Sequence, residues 1–192
     1  MPLLPALAFA RQLIEGRLKN GGRALDGTAG NGRDTLFLAQ LVGGNGKVWA
    51  FDIQAQALSN TAGLLRENGV EERVELIAAS HADLADYVRE PLDAAMFNFG
   101  YLPGGDKTVT TKADSSVRAM QAAAALLAEG GLLTAVVYSG HPAGRAEAAA
   151  IEQWAAALSQ EQYQVLHYRF TNQRNHPPQL LAIEKRIRKP NR

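Results

Sequence analysis

The segment Ala24–Asp34, which reads ALDGTAGNGRD, decides the fold of this chain. Residues 23–26 predict a short buried strand that ends at Asp26, and a helical pattern begins at Arg33. Glycines between a strand and a helix let the backbone turn sharply and approach a ligand, because glycine lacks a Cβ and tolerates positive φ. The dinucleotide fingerprint G-x-G-x-x-G does not fit, since Thr35 stands where its third glycine would fall.

Strands and helices alternate through the rest of the chain. The pattern predicts helices at about 5–19, 33–42, 54–68, 81–89, 114–129 and 142–158, and further strands at about 47–52, 73–79, 92–97, 132–138, 162–170 and 179–185. The last two strands have no helix between them, so we expect them to pair antiparallel at one edge. The prediction is one α/β domain, 1–192, with a doubly wound, mostly parallel, seven-stranded Rossmann-like sheet. Ligands of such sheets bind at the carboxyl ends of the strands.

The composition restricts both the location and the chemistry. Hydrophobic residues make up 46% and charged residues 20% of the 192 residues, which is typical of a globular domain, and the net charge is only +1. The chain has no cysteine, which excludes disulfides, thiolate metal sites, iron–sulfur clusters and thiol nucleophiles. No apolar run approaches the roughly 18 residues of a membrane span. No basic region precedes the apolar N-terminus, so we expect a cytoplasmic protein.

Two side chains that follow strands are candidate ligands for a nucleoside. Asp52 ends the second strand about 20 residues after the glycine loop, where an acid accepts two hydrogen bonds from a ribose diol. An Asp in this position is also a common helix N-cap, so that interpretation stays open. His81, after the third strand, could stack on or hydrogen bond an adenine. Alternatively, Ser80 is an N-cap and His81 is an exposed side chain.

Polar and aromatic residues follow the fourth and fifth strands. The Asn98 carbonyl could accept a hydrogen bond from an amine, and the Tyr101 ring could pack on a base or a cation. The alternative is an ordinary turn with Tyr101 in the core. His141 could take a proton from an ammonium substrate, or it is a solvated side chain in a helix-capping turn. The loop 171–178 could bind phosphate or base edges, or it only joins the hairpin.

Four segments together resemble the small rRNA methylase family of class I S-adenosylmethionine-dependent methyltransferases. They are residues 25–38, 98–107, 138–144 and 172–178, and the resemblance extends from about residue 13 to 185. Thr28 stands where the general methyltransferase loop has its first glycine, and members of this family share that threonine. Members of the MnmM type convert 5-aminomethyl-2-thiouridine at the tRNA wobble position to its 5-methylaminomethyl form. The resemblance therefore implies an N-methyltransferase whose partner is a tRNA anticodon stem-loop.

The glycine-loop pattern and the resemblance together imply roles for individual residues, and those taken from the resemblance are Asn31, Asp52, Gln54, His81, Asn98, Tyr101 and His141. Asp26 would reach the ammonium of the S-adenosylmethionine, directly or through water, and the loop backbone would lie beside its carboxylate and adenosine. The expected cofactor-binding residues are Asp26, Gly30, Asn31, Gly32, Asp34, Asp52, Gln54, Ser80 and His81. The expected catalytic residues at the acceptor pocket are Asn98, Tyr101 and His141. No metal is expected.

The residue inventory and the net charge bear on the methyl acceptor. Methylation of uracil C5 needs a cysteine, and radical methylation needs an iron–sulfur cluster, so N-methylation, or less readily O-methylation, remains. RNA contacts would come from Lys107, Lys112, Arg145, Arg174 and the basic residues from Lys185 onward, although a net charge near zero argues mildly against RNA. Other hypotheses are an rRNA or small-molecule methyltransferase, a non-catalytic nucleotide-binding module and a dinucleotide oxidoreductase. A homodimer stays open.

Overall fold

Seven strands form one mixed sheet in the computed structural model, which describes residues 2–100, 110–140 and 142–188. The strands are β1 (Arg23–Asp26), β2 (Lys47–Asp52), β3 (Val74–Ala78), β4 (Leu92–Asn98), β5 (Leu127–Val137), β6 (Tyr163–Tyr168) and β7 (Gln179–Lys185). Their order across the sheet is β3-β2-β1-β4-β5-β7-β6. The first five in this order run parallel, and β7 lies antiparallel between β5 and β6. The predicted parallel sheet with a C-terminal antiparallel hairpin is confirmed.

Helices cover both faces of this sheet. They are α1 (Ala6–Glu15), α2 (Arg33–Val42), α3 (Ala55–Glu67), α4 (Leu84–Tyr87), α5 (Ala113–Leu126) and α6 (Pro142–Ala156), with one-turn 3-10 helices at Glu71–Arg73 and His81–Asp83. Because successive strand residues point to opposite faces, Ala24 packs with α1, α2 and α3, whereas Leu25 packs with α5 and α6. The molecule therefore has three layers and two apolar clusters, one on each side of the sheet.

The helices bury the apolar stripes that the sequence pattern predicts. Ile14, Leu38 and Leu65 of α1, α2 and α3 are buried on one face, and Met120 and Ile151 of α5 and α6 are buried on the other. Full burial of a side chain of this size contributes about 1.5–3 kcal/mol. Within the described parts of the chain, no helix combines the length and the apolar character that a membrane crossing requires.

The boundary between α5 and β5 differs from the prediction. The sequence pattern predicts a helix to residue 129 that is ended by Gly130 and Gly131, but α5 ends at Leu126 and β5 begins at Leu127. The register opposite β4 shifts between Leu92 and Ala94, so the glycine pair lies in an irregularity of the strand. Gly130 has a φ of 77°, which glycine adopts without strain. The glycines therefore bend the strand instead of ending the helix.

The first helix is shorter than predicted. It ends at Glu15 rather than at about residue 19, and the backbone continues in tight turns in which the amides of Arg17 and Leu18 both donate to the Ile14 carbonyl. Leu18 stays buried in the same apolar cluster as α1. The helical spacing of apolar residues therefore continues beyond the last helical residue, because these turns keep Leu18 on the face that contacts the sheet.

The direction of winding reverses at β1. From β1 the sheet extends through β2 and β3 on one side and through β4 and β5 on the other. The connections that leave β1 and β4 therefore diverge, and a crevice opens at the carboxyl ends of these two strands. The glycine loop after β1 and the end of β4 both lie at this crevice.

Candidate cofactor and acceptor site

A cleft of about 580 Å³ opens at the carboxyl ends of β1, β2 and β4. This volume lies within the 300–1,000 Å³ range of small-molecule and cofactor pockets. The predicted site residues that line it are Gly30, Asn31, Asp34, Asp52, Gln54, Ser80, His81 and Asn98. Residues more than 60 positions apart in the sequence are thus brought to one cavity. Whether each contacts a ligand stays a prediction.

Backbone hydrogen bonds hold the glycine loop against the sheet. The amide of Gly27 donates to the Met96 carbonyl at 2.9 Å, and the amide of Ala29 donates to the Phe51 carbonyl at 2.9 Å. The amide of Asn98 donates to the Thr28 hydroxyl at 2.7 Å. The loop is therefore attached to β4 on one side and to β2 on the other, which fixes the floor of the cleft.

Two of the loop glycines are required by close packing. A Cβ on Gly27 would lie 2.0 Å from the Phe97 ring, which is itself buried. Gly32, the residue before α2, has a φ of 81°, and a Cβ there would lie 3.0 Å from the Thr61 backbone. Gly32 does not line the cleft among the described residues. It closes the loop instead and sets the direction in which α2 leaves it.

Asp52 is not the N-cap of α3, a position that Gln54 occupies, and its binding to a ribose stays a prediction. Its Oδ2 accepts the amide of Gly30 at 2.9 Å, and its Oδ1 accepts the amide of Gln54, just before α3, at 2.9 Å. Its carboxylate also lines the cleft. A carboxylate offers about four acceptor positions, so two remain for the hydroxyls of a diol. The backbone amides thus fix the orientation of a side chain that can still bind a ribose.

Asp26 lies beneath the loop. It is 1% exposed, and it accepts hydrogen bonds from the Thr35 hydroxyl at 2.6 Å and from the Thr28 amide at 3.0 Å. Burial, together with the nearby charge of Asp34, raises the pKa of the Asp26 carboxyl to about 7, although both hydrogen bonds oppose this rise. Asp26 does not line the cleft, so it acts on the cleft by holding the loop.

Asp34 is paired with a residue that the sequence analysis did not single out. Both the Nε and an Nη of Arg11, on α1, donate to its Oδ1, at 2.9 Å and 2.7 Å. The Arg11 guanidinium also lies over the Phe37 ring, 5.4 Å from the centroid. Arg11 and Leu7 both line the cleft. The N-terminal helix is therefore one wall of the site.

His81 is half-buried, and its ring packs edge-on against Phe97 and Phe99. Burial lowers the pKa of the imidazole, while a hydrogen bond with the Gly27 backbone and the charge of Asp52 oppose the change. Its Nε2 is buried and has no hydrogen-bond partner among the described residues. The interpretation of His81 as an exposed side chain is therefore wrong.

The interpretation of Ser80 as an N-cap is confirmed, whereas its contact with a cofactor stays a prediction. Its hydroxyl accepts the amide of Ala82 at 3.2 Å and so caps the short 3-10 helix that follows β3. Ser80 also lines the cleft. The cap fixes the backbone at this point, and this in turn places His81 at the cleft wall.

Asn98 ends β4 on the acceptor side of the cleft. Its backbone amide donates to the Thr28 hydroxyl, whereas its side-chain Oδ1 is buried without a hydrogen-bond partner in the described parts of the chain. The other two predicted acceptor residues, Tyr101 and His141, lie outside the described residues. Thr110 and Thr111 line the same cleft, and the Thr111 amide donates to the Gly100 carbonyl at 3.0 Å. This hydrogen bond links two residues that both line the cleft.

Several lining residues were not predicted from the sequence. Besides Leu7 and Arg11, they include Thr28, Thr110, Thr111, Ser115 and Tyr138, whereas Lys112, which also lines the cleft, was predicted only as an RNA contact. Thr28 and Tyr138 lie within motifs that the sequence analysis quoted, so their position next to Gly27 and Ser139 was the available signal. The α1 residues carried no such signal, because a contact between α1 and α2 depends on how both helices pack on the sheet.

The cleft fits S-adenosylmethionine. Asp52 offers acceptors for a ribose, His81 offers an unpartnered ring nitrogen for an adenine, and the Arg11 guanidinium offers donors for a carboxylate. The cleft has walls on both sides of the glycine loop, and its volume suits a ligand of nucleoside size.

Comparison with known proteins gives the same assignment. The family model described as "Putative rRNA methylase" matches residues 48–184. The chain is 37% identical over 163 residues, 80% of its length, to the chloroplastic tRNA (mnm(5)s(2)U34)-methyltransferase of Arabidopsis thaliana, and it spans 60% of the length of that relative.

Two solved structures cover almost the whole chain. One, from Clostridium thermocellum and with the same description as the family model, has a TM-score of 0.95 and 38% identity, and the match covers 96% of this chain and 100% of that one. SMU.1697c from Streptococcus mutans, described as a "putative methyltransferase" and solved in complex with S-adenosylhomocysteine, has a TM-score of 0.88 and 35% identity over 96% and 99% of the two chains. This chain therefore belongs to the rRNA methylase family of class I methyltransferases, enzymes that use S-adenosylmethionine.

Proposed function

We propose that this chain is an N-methyltransferase that converts 5-aminomethyl-2-thiouridine at the wobble position of tRNA to 5-methylaminomethyl-2-thiouridine. The observation that carries the proposal is the buried, unpartnered Oδ1 of Asn98 at the cofactor cleft. A buried acceptor without a partner indicates a donor that arrives with the substrate, and an amine N–H is such a donor. The name of the Arabidopsis relative supports the choice of this amine.

The transfer needs alignment more than activation. The cofactor supplies a methyl group that is already electrophilic, so the chain has to bring the amine lone pair in line with it. Asn98 is suited to this task because its backbone is fixed by the Thr28 hydroxyl while its amide oxygen stays available. Its carbonyl would orient the amine through one N–H and leave the lone pair directed at the cofactor.

Tyr101 and His141 complete the proposed acceptor pocket. A protonated amine must lose its proton to expose the lone pair that attacks the methyl group, and His141 is the side chain to which we assign the acceptance of this proton. The Tyr101 ring would stack on the uracil base. Both assignments follow from the motifs around these residues, since neither residue is in the described part of the chain.

A tRNA anticodon stem-loop fits the charge at the rim of the cleft. Lys112, just before α5, and Arg33, at the start of α2, both line the cleft and are exposed. An anticodon loop presents splayed bases and a small number of phosphates, so a few cations are enough to bind it. The net charge of +1 is compatible with such a small target. Binding should weaken as the salt concentration rises.

Methyl transfer to defined RNA tests this proposal. Labelled S-adenosylmethionine is incubated with the protein and with tRNA from cells that lack the last wobble modification, and the nucleosides are resolved by mass spectrometry. A new 5-methylaminomethyl-2-thiouridine peak is the expected result. An Asn98→Ala variant should lose most of this peak and keep its affinity for S-adenosylhomocysteine.

The same assay separates the other acceptors. Ribosomal RNA and small primary amines are supplied in parallel reactions under the same conditions. Label in rRNA or in a small amine, with none in tRNA, would reject the wobble-uridine assignment and would leave the methyltransferase class intact.

A further inference from the structure

We propose that Arg11 binds the carboxylate of the cofactor's amino acid and that Asp34 is the positioning residue that holds Arg11 in place. The proposal concerns the methyl donor alone and is independent of which amine receives the methyl group. The match to the family model begins at residue 48, so α1 lies outside it. The proposal makes α1 part of the cofactor site and changes the expected role of Asp34 from a direct ligand to a support.

The Arg11 guanidinium is held in place by hydrogen bonds that occupy only some of its N–H groups. Two of its five N–H groups donate to one oxygen of Asp34, at 2.9 Å and 2.7 Å. The Phe37 ring supports its face at 5.4 Å. Its side chain is 34% exposed and lines the cleft. The remaining donors of this planar group can bind a second carboxylate, for which a guanidinium has the matching geometry.

The position of Arg11 across the sheet suits the amino-acid end of the cofactor. Asp52, the candidate ribose ligand, ends β2 on one side of β1. Helix α1 packs against β5 and β7 on the other side of β1, and it meets the first turn of α2 through the Arg11–Asp34 pair. A nucleoside held at Asp52 would therefore extend its other end across the glycine loop towards α1.

Charge also favours Arg11 over the other cations of the cleft. Among the described lining residues, Arg33 and Lys112 are also cationic, but both are exposed, whereas Arg11 is half-buried and held by an ion pair. A preorganised donor loses less side-chain entropy when a ligand binds. The guanidinium between Asp34 and an incoming carboxylate would also offset the repulsion between the two anions.

Ligands with and without the amino acid test the proposal by calorimetry. Arg11→Gln should weaken S-adenosylhomocysteine about tenfold to hundredfold, as expected for lost charge-assisted hydrogen bonds, and should change the affinity for 5′-methylthioadenosine by less than about twofold. 5′-Methylthioadenosine keeps the adenosine and the thioether and lacks the amino acid. Arg17→Gln is the matched control, because Arg17 follows the same helix, pairs with Glu184 at 2.8 Å and does not line the cleft. This control should bind both ligands normally.

A double variant separates carboxylate binding from folding. Arg11→Gln leaves the mostly buried Asp34 without its cation, which can destabilise the protein. Arg11→Gln combined with Asp34→Asn removes both charges, and we expect the selective loss of S-adenosylhomocysteine affinity to persist. Asp34→Asn alone should weaken S-adenosylhomocysteine less than Arg11→Gln, because Arg11 remains but is no longer held by a charge.

Three results would overturn the proposal. An equal loss of both ligands in Arg11→Gln would mean that Arg11 only supports the shape of the cleft. Unchanged affinity for both would mean that Arg11 does not face the ligand. Weakened binding of tRNA with unchanged affinity for S-adenosylhomocysteine would assign the guanidinium to an RNA phosphate.

Discussion

At the residue scale, the polar atoms of the cleft differ in how well they are satisfied. Both oxygens of Asp52 accept backbone amides, whereas Nε2 of His81 and Oδ1 of Asn98 are buried without a hydrogen-bond partner among the described residues. An unmade hydrogen bond at a buried atom costs about 1–3 kcal/mol. Natural proteins leave few such atoms. We therefore expect bound ligands to supply the missing partners at these two positions.

His81→Phe isolates the ring nitrogen. The substitution keeps an aromatic ring against Phe97 and Phe99 and removes Nε2. We expect the dissociation constant of S-adenosylhomocysteine to rise about fivefold to thirtyfold, equivalent to about 1–2 kcal/mol. 5′-Methylthioadenosine should weaken by the same factor, because His81 is assigned to the adenine, which both ligands contain. Calorimetry with the two ligands checks this, and a loss confined to S-adenosylhomocysteine would argue against an adenine contact.

Asp26 should make stability depend on pH. Its pKa is about 7 in the folded protein and 3.8 for the free side chain, so the folded chain binds more protons than the unfolded chain between these values. The free energy of unfolding should therefore fall as the pH rises through this window and level off above it. Urea denaturation between pH 5 and pH 8 checks this. The stability of the natural protein relative to Asp26→Asn should decrease over that range, and a constant difference would show that Asp26 does not titrate there.

At the element scale, the glycine loop contacts three strands, and its close packing leaves little space for a larger side chain. Its amides are bonded to the ends of β4 and β2, and its first residue faces the Phe97 ring. Interiors of this kind are close-packed, so even one added methyl group has to displace a neighbour. The loop is therefore rigid before any ligand binds.

Gly27→Ala tests this packing. A Cβ at 2.0 Å from the Phe97 ring forces that buried ring to move, and we expect the free energy of unfolding to fall by roughly 1–3 kcal/mol. The affinity for S-adenosylhomocysteine should fall as well, because the floor of the cleft is displaced. Gly44→Ala is the control, since no atom lies within 4 Å of a Cβ there. Equal stability of the two variants in urea denaturation would contradict the packing argument.

The sequence predicted elements better than contacts between them. The strands, their mostly parallel direction and the terminal hairpin followed from local patterns, as did the placement of Asp52 at the end of β2. The pairing of Arg11 with Asp34 did not, because these residues are 23 positions apart in the chain and lie on helices that meet only when both pack on the sheet. The start of β5 was missed because a pair of glycines such as Gly130 and Gly131 can mark either the end of a helix or an irregularity in a strand.

At the scale of the whole molecule, ligand binding should be visible as added stability. A ligand that binds only the folded state at a hundred times its dissociation constant contributes about 2.7 kcal/mol. For a domain of this size, that corresponds to an increase in Tm of about 5–10 °C. We expect S-adenosylhomocysteine to produce this increase in a thermal scan and NAD to produce none. An increase with NAD at similar concentrations would return the dinucleotide hypothesis to consideration.

The position of β7 has a consequence for the order in which the chain can fold during synthesis. Strand β7 is the last of these seven strands in the sequence, yet it lies between β5 and β6 and covers the edge that β5 would otherwise expose. Until residue 185 has emerged, β5 has an open edge and β6 has no strand to pair with. The nascent chain therefore carries an unpaired strand edge at β5 until β7 has been made, which is a state in which edge-to-edge aggregation is favoured.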